Sequence, residues 1–277
     1  ISWLKRYGVN IIPIPWSTKK FDYYMKICNG FYFPSGGAFA GTQKEYYNCC
    51  KTFFNLAIKQ NDRGIYTPIW GGCMGMQQMM IIADGKNDLK NLLQTFDSFN
   101  NLLSTLDFTE DGMNSRIVRD MTLGQIHKLS KRKCTLNNHK MGITPQKFKQ
   151  RTKLNKFFKI VSTSDDRKGR AYVSTIEAYH YPFYGVQWHP ERSSEMDYFV
   201  KFLIRELRKN PIRNKKCDEV NFQRSMESTV SLESNKEVDI YNITKDTFIN
   251  QEVIFFGGFA NTIYSKYMPS KLRKKLQ

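Results

Sequence analysis

Apolar residues in the first third of the chain alternate between short unbroken runs and longer stretches of helical spacing. Val9-Asn10-Ile11-Ile12-Pro13-Ile14 is a β-rich run, and Tyr23, Ile27 and Cys28 then fall at helical spacing. Gly30-Phe31-Tyr32-Phe33 reads as a second strand, stopped by Pro34-Ser35-Gly36-Gly37. Tyr46, Cys50, Phe53, Phe54 and Ala57 recur at three- and four-residue steps, the mark of an amphipathic helix. Thr67-Pro68-Ile69-Trp70 gives a third strand, followed by a turn at Cys73 and a methionine-rich helix to about Ala83. Strands that alternate with helices predict an α/β fold in three layers, a mostly parallel sheet flanked by helices.

The second half has a different rhythm. Residues 157–164, 170–179 and 183–188 read as three successive strands. A helix over 195–209 follows, with Tyr198, Phe199, Phe202, Leu203 and Leu207 as its apolar stripe. Beyond Asn210 the pattern decays into charged, Ser/Glu/Asn-rich sequence until an aromatic stretch over 253–268. The expected division is a domain over residues 1–210 and a charged appendage over 211–277. Residues 1–7 read only as the last turns of a helix, so the strand expected before them is missing from the sequence. In a doubly wound sheet that strand is usually central. If it is truly absent, the sheet must be completed by other means or the fold is compromised.

Composition narrows the classes. A hydrophobic content of 40% with 14% aromatics supports a real core. No apolar run approaches the ~20 residues that cross a bilayer, so no membrane span is expected. Six cysteines, including the adjacent Cys49-Cys50, form no regular disulfide framework, and without a CxxC pair no metal site is expected. The net charge of +18 is concentrated in Lys131-Arg132-Lys133, in 147–156, in 205–216 and in 271–275. None of these runs resembles a recognition helix, an RNA-binding sheet or a zinc finger, so they read as solvated surface and no nucleic-acid partner is expected. A positive field would still favour an acidic small substrate.

Candidate chemistry centres on Cys73 in Trp70-Gly71-Gly72-Cys73-Met74-Gly75. A thiol on a glycine-bracketed strand–turn–helix sits where helix N–H groups favour a thiolate, as in a nucleophile elbow. The bland reading is a buried structural cysteine. His189, after the run Gly185-Val186-Gln187-Trp188, stands at the carboxyl end of a strand and could act as general base and acid. Glu191, two residues on, could orient the imidazole; a surface turn could carry the same triplet. Backbone N–H groups at Gly36 and Gly37 could reach an oxyanion together with that of Met74, though an ordinary strand–helix turn looks alike. Ser115-Arg116 is a candidate carboxylate contact, while a loop arginine is more often solvated. His139 on its own reads as a surface histidine, and His127 and His180 belong to no constellation. Methionines 74, 76, 79 and 80 read as core filling.

These segments together resemble the γ-glutamyl hydrolases, cysteine peptidases with the class I glutamine amidotransferase fold. The resemblance covers roughly residues 1–210. It is dense at Asn29-Gly30-Phe31-Tyr32-Phe33-Pro34, Pro68-Ile69-Trp70-Gly71-Gly72-Cys73-Met74-Gly75, Ser115-Arg116 and Asn138-His139-Lys140, and most specific over residues 181–191. It implies Cys73 as nucleophile, His189 as general base and acid, Glu191 as third member and His139 as an accessory histidine near the substrate. It also implies cleavage of γ-linked glutamyl chains, typically of folylpolyglutamates, through a γ-glutamyl thioester, with no cofactor. A lysosomal, vacuolar or secreted location would follow, and a homodimer is compatible. Ser35 interrupts the usual Phe-Pro-Gly-Gly. Gln77, four residues after the cysteine, looks more like the glutamine amidotransferases, whose Cys-x-Gly-x-Gln segment grips the substrate glutamine. Two alternatives remain open: a glutaminase serving a synthase partner, and a catalytically inactive relative acting as a structural subunit of a larger assembly.

Overall fold

Alternation within three adjacent strands sets the layering. The computed structural model describes residues 2–36, 44–86, 89–212 and 253–256. Its strands are β1 (Asn10–Ile12), β2 (Gly30–Phe33), β3 (Ile69–Gly72), β4 (Gln94–Ser104), β5 (Asp107–Phe108), β6 (Thr135–Gly142), β7 (Phe158–Asp165), β8 (Ala171–Ala178), β9 (Phe183–Val186) and β10 (Val253–Phe256). Phe31, Phe33, Ile69 and Phe183 point to one face and join a cluster with Phe53, Phe54, Met76, Met79 and Met80. Tyr32, Trp70, Tyr184 and Val186 point to the other and join Phe199, Phe202, Leu203 and Trp3. Successive side chains of a strand face opposite ways, so a strand buried on both faces needs an unbroken apolar run. β2, Gly-Phe-Tyr-Phe with all four residues buried, is such a strand. The helices Lys44–Asp62 and Met74–Asp84 cover the first face and Asp197–Arg208 the second. The expected three layers are present.

Among the described residues the main sheet has eight strands in the order β1-β10-β2-β3-β9-β8-β7-β5. β1, β10, β2, β3 and β9 run parallel, while β8, β7 and β5 add antiparallel pairs at one side. The position between β1 and β2 is taken by β10, which pairs in parallel with both: Ile11 with Ile254, and Phe255 with Phe31. The strand in that position thus comes from residues more than 200 positions further along the sequence. Val253–Phe256 lies within the span expected as an appendage, yet it is a strand of the main sheet; residues 213–252 and 257–277 lie outside the described residues.

A second, two-stranded sheet pairs β4 with β6, antiparallel with two register shifts. It carries His139 and reaches the main sheet through the His189 N–H, which donates to Leu136 O at 2.8 Å. Among the described residues no helix is long and apolar enough to cross a membrane.

Candidate active site

The carboxyl ends of the adjacent strands β3 and β9 deliver the two reactive side chains to one edge of the sheet. Gly72 registers with Val186, and the Cys73 N–H donates to Val186 O at 2.7 Å. That bond pins the turn from both sides. Cys73 itself has φ 47° and ψ −104°, a backbone conformation that side-chain-bearing residues rarely adopt. The helix Met74–Asp84 starts immediately after it, and Gly75 lets that helix sit against β2. A Cβ at position 75 would fall 1.9 Å from Phe33 O, so only glycine fits. The strand–turn–helix expected around Cys73 is what the chain forms.

His189 follows β9, and Glu191 sits in the one-turn 3₁₀ helix Pro190–Arg192. The imidazole Nδ1 lies 2.7 Å from Glu191 Oε1 and 3.5 Å from Ser35 Oγ. A carboxylate can only accept, so Nδ1 carries the hydrogen and Nε2 is left for the thiol. Burial works against a charged ring, but the Cys73 thiol and the Glu191 carboxylate outweigh it and raise the His189 pKa to about 10. The same ion pair holds Glu191 below the usual carboxylate range although burial pushes the other way. The site therefore favours an imidazolium beside the sulfur.

His139 behaves in the opposite sense. Burial dominates and lowers its pKa to about 3, against the opposing effect of Met141 O, while the charge of His189 lowers it further. Its Nδ1 donates to Met141 O at 3.0 Å and its ring meets Tyr172 edge-on, with centroids 4.8 Å apart. It is not the surface histidine that its sequence context alone suggests. A group with a depressed folded-state pKa contributes stability above its unfolded value, near 6.5, that is lost as pH falls toward 3. The parent is expected to lose stability through that window with a slope up to about 1.4 kcal/mol per pH unit greater than His139→Phe. Melts of both proteins between pH 7 and pH 3.5 check this; parallel curves would mean that His139 is not held neutral.

The remaining candidates divide. Gly36 and Met74 are brought together: a Cβ on Gly36 would meet Met74 Cε at 2.6 Å. Gly37 lies outside the described residues. Ser115 and Arg116 are a correction to the expected carboxylate contact. Ser115 is fully buried, with Oγ accepting from the Val118 N–H, and Arg116 binds Glu177 and the carbonyls of Ala178 and Tyr181. Glu177 registers with Tyr184 near the start of β9, the opposite end of the sheet from Cys73 and His189. The arginine neutralises a buried glutamate there. Gln77 does not present a free amide to a substrate: its Nε2 donates to Met141 O at 2.8 Å and to Gln187 Oε1 at 3.1 Å.

Two neighbours of the cysteine were not singled out by sequence. Gln187 Nε2 lies 3.5 Å from Cys73 Sγ, and the Tyr32 hydroxyl lies 2.6 Å from where a Cβ on Gly72 would be. A polar residue closing the apolar run before His189 was the available signal for the first. For the second, a tyrosine at the centre of a doubly buried strand was the signal.

The glutamine amidotransferase class-I family model matches residues 37–205. The γ-glutamyl hydrolase of Homo sapiens is 31% identical over 229 residues, covering 76% of this chain and 70% of that protein. The enzyme of the same name from Rattus norvegicus is 28% identical over 251 residues, covering 84% and 74%. Among solved structures, the glutaminase domain of Trypanosoma brucei CTPS superposes with a TM-score of 0.46 at 18% identity, covering 69% of this chain and 76% of that one.

Proposed function

We propose, from the premise that this chain belongs to the glutamine amidotransferase class-I family and within it to the γ-glutamyl hydrolases, that it hydrolyses γ-glutamyl bonds with Cys73 as nucleophile. The observation that carries this reading is the His189–Glu191 pair at 2.7 Å beside a thiol on a strained turn. The Cys73 sulfur attacks the γ-carbonyl carbon and the carbonyl π-electrons move to oxygen. Backbone N–H groups at the Gly36 turn and at Met74 receive that oxyanion. His189 gives its proton to the departing amine, which leaves a γ-glutamyl thioester. Water, deprotonated by the same imidazole, then cleaves the thioester, which releases the γ-carboxylate product and restores the thiolate beside the imidazolium.

The substrate class is a γ-linked polyglutamate, with folylpoly-γ-glutamates as the preferred members. Such chains carry several carboxylates, and a protein of net charge +18 offers them a favourable field. No step requires a cofactor. The test is incubation of the reduced full chain with a folylpolyglutamate, with glutamate release followed by mass spectrometry. Release supports the reading; a folded protein that releases none overturns it.

His189→Ala is expected to lower kcat by about a million-fold and Glu191→Gln by about ten-thousand-fold, the hierarchy of nucleophile triads. The first variant removes the proton carrier; the second removes only its orienting charge. Glu191→Gln should also move the alkaline limb of the rate profile downward, because the carboxylate helps to hold His189 protonated. Equal losses in two folded variants would show that these roles are misassigned.

A further inference from the structure

Behind the sulfur of Cys73 lies a chain of amide hydrogen bonds that the triad does not use. It starts at Met141 O on β6, which accepts from His139 Nδ1 at 3.0 Å and from Gln77 Nε2 at 2.8 Å. Gln77 Nε2 also donates to Gln187 Oε1 at 3.1 Å, and Gln187 Nε2 lies 3.5 Å from Cys73 Sγ. Gln187 is fully buried and Gln77 nearly so. Gln77 stands four residues after Cys73, one helical turn along, which places it on the same side of the helix as the turn.

The direction of this chain is fixed by its first member. A backbone carbonyl can only accept, so Gln77 must turn its NH₂ group toward Met141 O. An amide nitrogen has two hydrogens, and the second points at Gln187. Gln187 must then present its oxygen to Gln77, because the flipped amide would set two NH₂ groups against each other. The remaining end of Gln187, its own NH₂, faces the sulfur. A donor aimed at a buried sulfur favours the charged form of that sulfur, and a low-dielectric setting strengthens the effect.

We propose that Gln187 is a further catalytic residue, donating a hydrogen bond to the Cys73 thiolate, and that Gln77 is the positioning residue that fixes the direction of that bond. This rests on the reading of Cys73 as nucleophile. Two paired glutamines could merely satisfy one another, but that would leave the sulfur indifferent to both. The other ionisable groups facing Cys73 are His189 and Glu191 after β9, Tyr32 on β2, and His139 on β6 by way of His189. All of them stay in place when Gln187 is changed.

The experiment is the pH profile of Cys73 alkylation by iodoacetamide in the full chain, read by mass spectrometry of the Cys73 peptide. Cys49 and Cys50 do not interfere, since burial raises both thiols, Cys49 to about 12. Gln187→Met, which keeps the volume and lacks the donor, should move the midpoint up by about one pH unit and slow alkylation about tenfold on the acid side of the parent's midpoint. kcat should fall by a similar factor with KM little changed. Gln77→Met leaves Gln187 in place but free to flip, and should shift the profile the same way by less; it decides the matter if Gln187→Met fails to fold. A folded variant with the parent's profile overturns the proposal. Cys73→Ala separates the two levels: turnover that survives it removes the nucleophile reading, whereas turnover that needs Cys73 with an unmoved profile removes only the role of Gln187.

Discussion

Cys73→Ala is expected to abolish γ-glutamyl hydrolysis, a fall of about a million-fold, while the protein keeps its fold. Both halves of that expectation have a local reason. The thioester cannot form without the sulfur, and Cys28, Cys49 and Cys50 are locked in the apolar core rather than available as substitutes. Alanine retains a Cβ, so it neither relieves nor worsens the positive φ of 47° at this position. The change in stability should stay below about 1 kcal/mol. Cys73→Gly makes a sharper companion. Strain of this kind costs about 1–3 kcal/mol, and glycine relieves it at an entropic cost of about 0.5–1 kcal/mol. The glycine variant should therefore be inactive and melt above the parent. Glutamate release and thermal melts of the three proteins give the answer. Turnover by the alanine variant would refute the mechanism, and a glycine variant that melts lower would show that the turn is unstrained.

Ending the chain after Ile212 is expected to cost the cooperative fold; a chain ended after Phe256 retains the strand and serves as the comparison. Among the described residues β1 reaches the sheet only through β10, whose other edge pairs with β2. Without Val253–Phe256, β1 loses its partner and β2 becomes an edge although all four of its residues are buried. An unpaired, flat, apolar edge recruits other chains. The shorter protein keeps the anchor of Asn29 Nδ2 on Ile212 O at 2.9 Å, so a loss of stability would report the strand rather than that contact. Melting and size-exclusion chromatography of both truncations against the full chain decide it. A cooperative monomer at the parent's melting temperature after truncation at 212 would mean that β10 is dispensable.

The parts of this fold legible in the sequence are those where one periodicity holds without interruption. β2, β3 and β9 are apolar runs with sharp ends, and the Asp197–Arg208 helix shows its stripe at Phe199, Phe202, Leu203 and Leu207. The same sharp ends exposed Cys73 and His189, since each stands just past the end of a run. β4 was hidden because its alternation is broken twice, by register shifts after Thr95 and after Ser98. Asn100 and Asn101 there both adopt positive φ. Arg116 misled for another reason. Its partner Glu177 is remote in sequence, so residue type suggested a ligand where position gives a buried ion pair. Gln187 was visible within the block before His189, but the direction of its amide depends on Gln77 and Met141, which only the fold brings together.

The place of β10 also sets an order in time. Val253–Phe256 is the last of the described strands to be synthesised, yet it fits between two of the first. β1 and β2 must wait, side by side and unjoined, until Val253–Phe256 has left the ribosome. Pairing across such a sequence separation is slow, and incomplete chains with open edges aggregate. During that interval the gap is a vacant berth that a strand from a neighbouring nascent chain could occupy. Yield on expression should therefore respond to chaperone supply and to growth temperature more than the equilibrium stability of the finished protein would suggest.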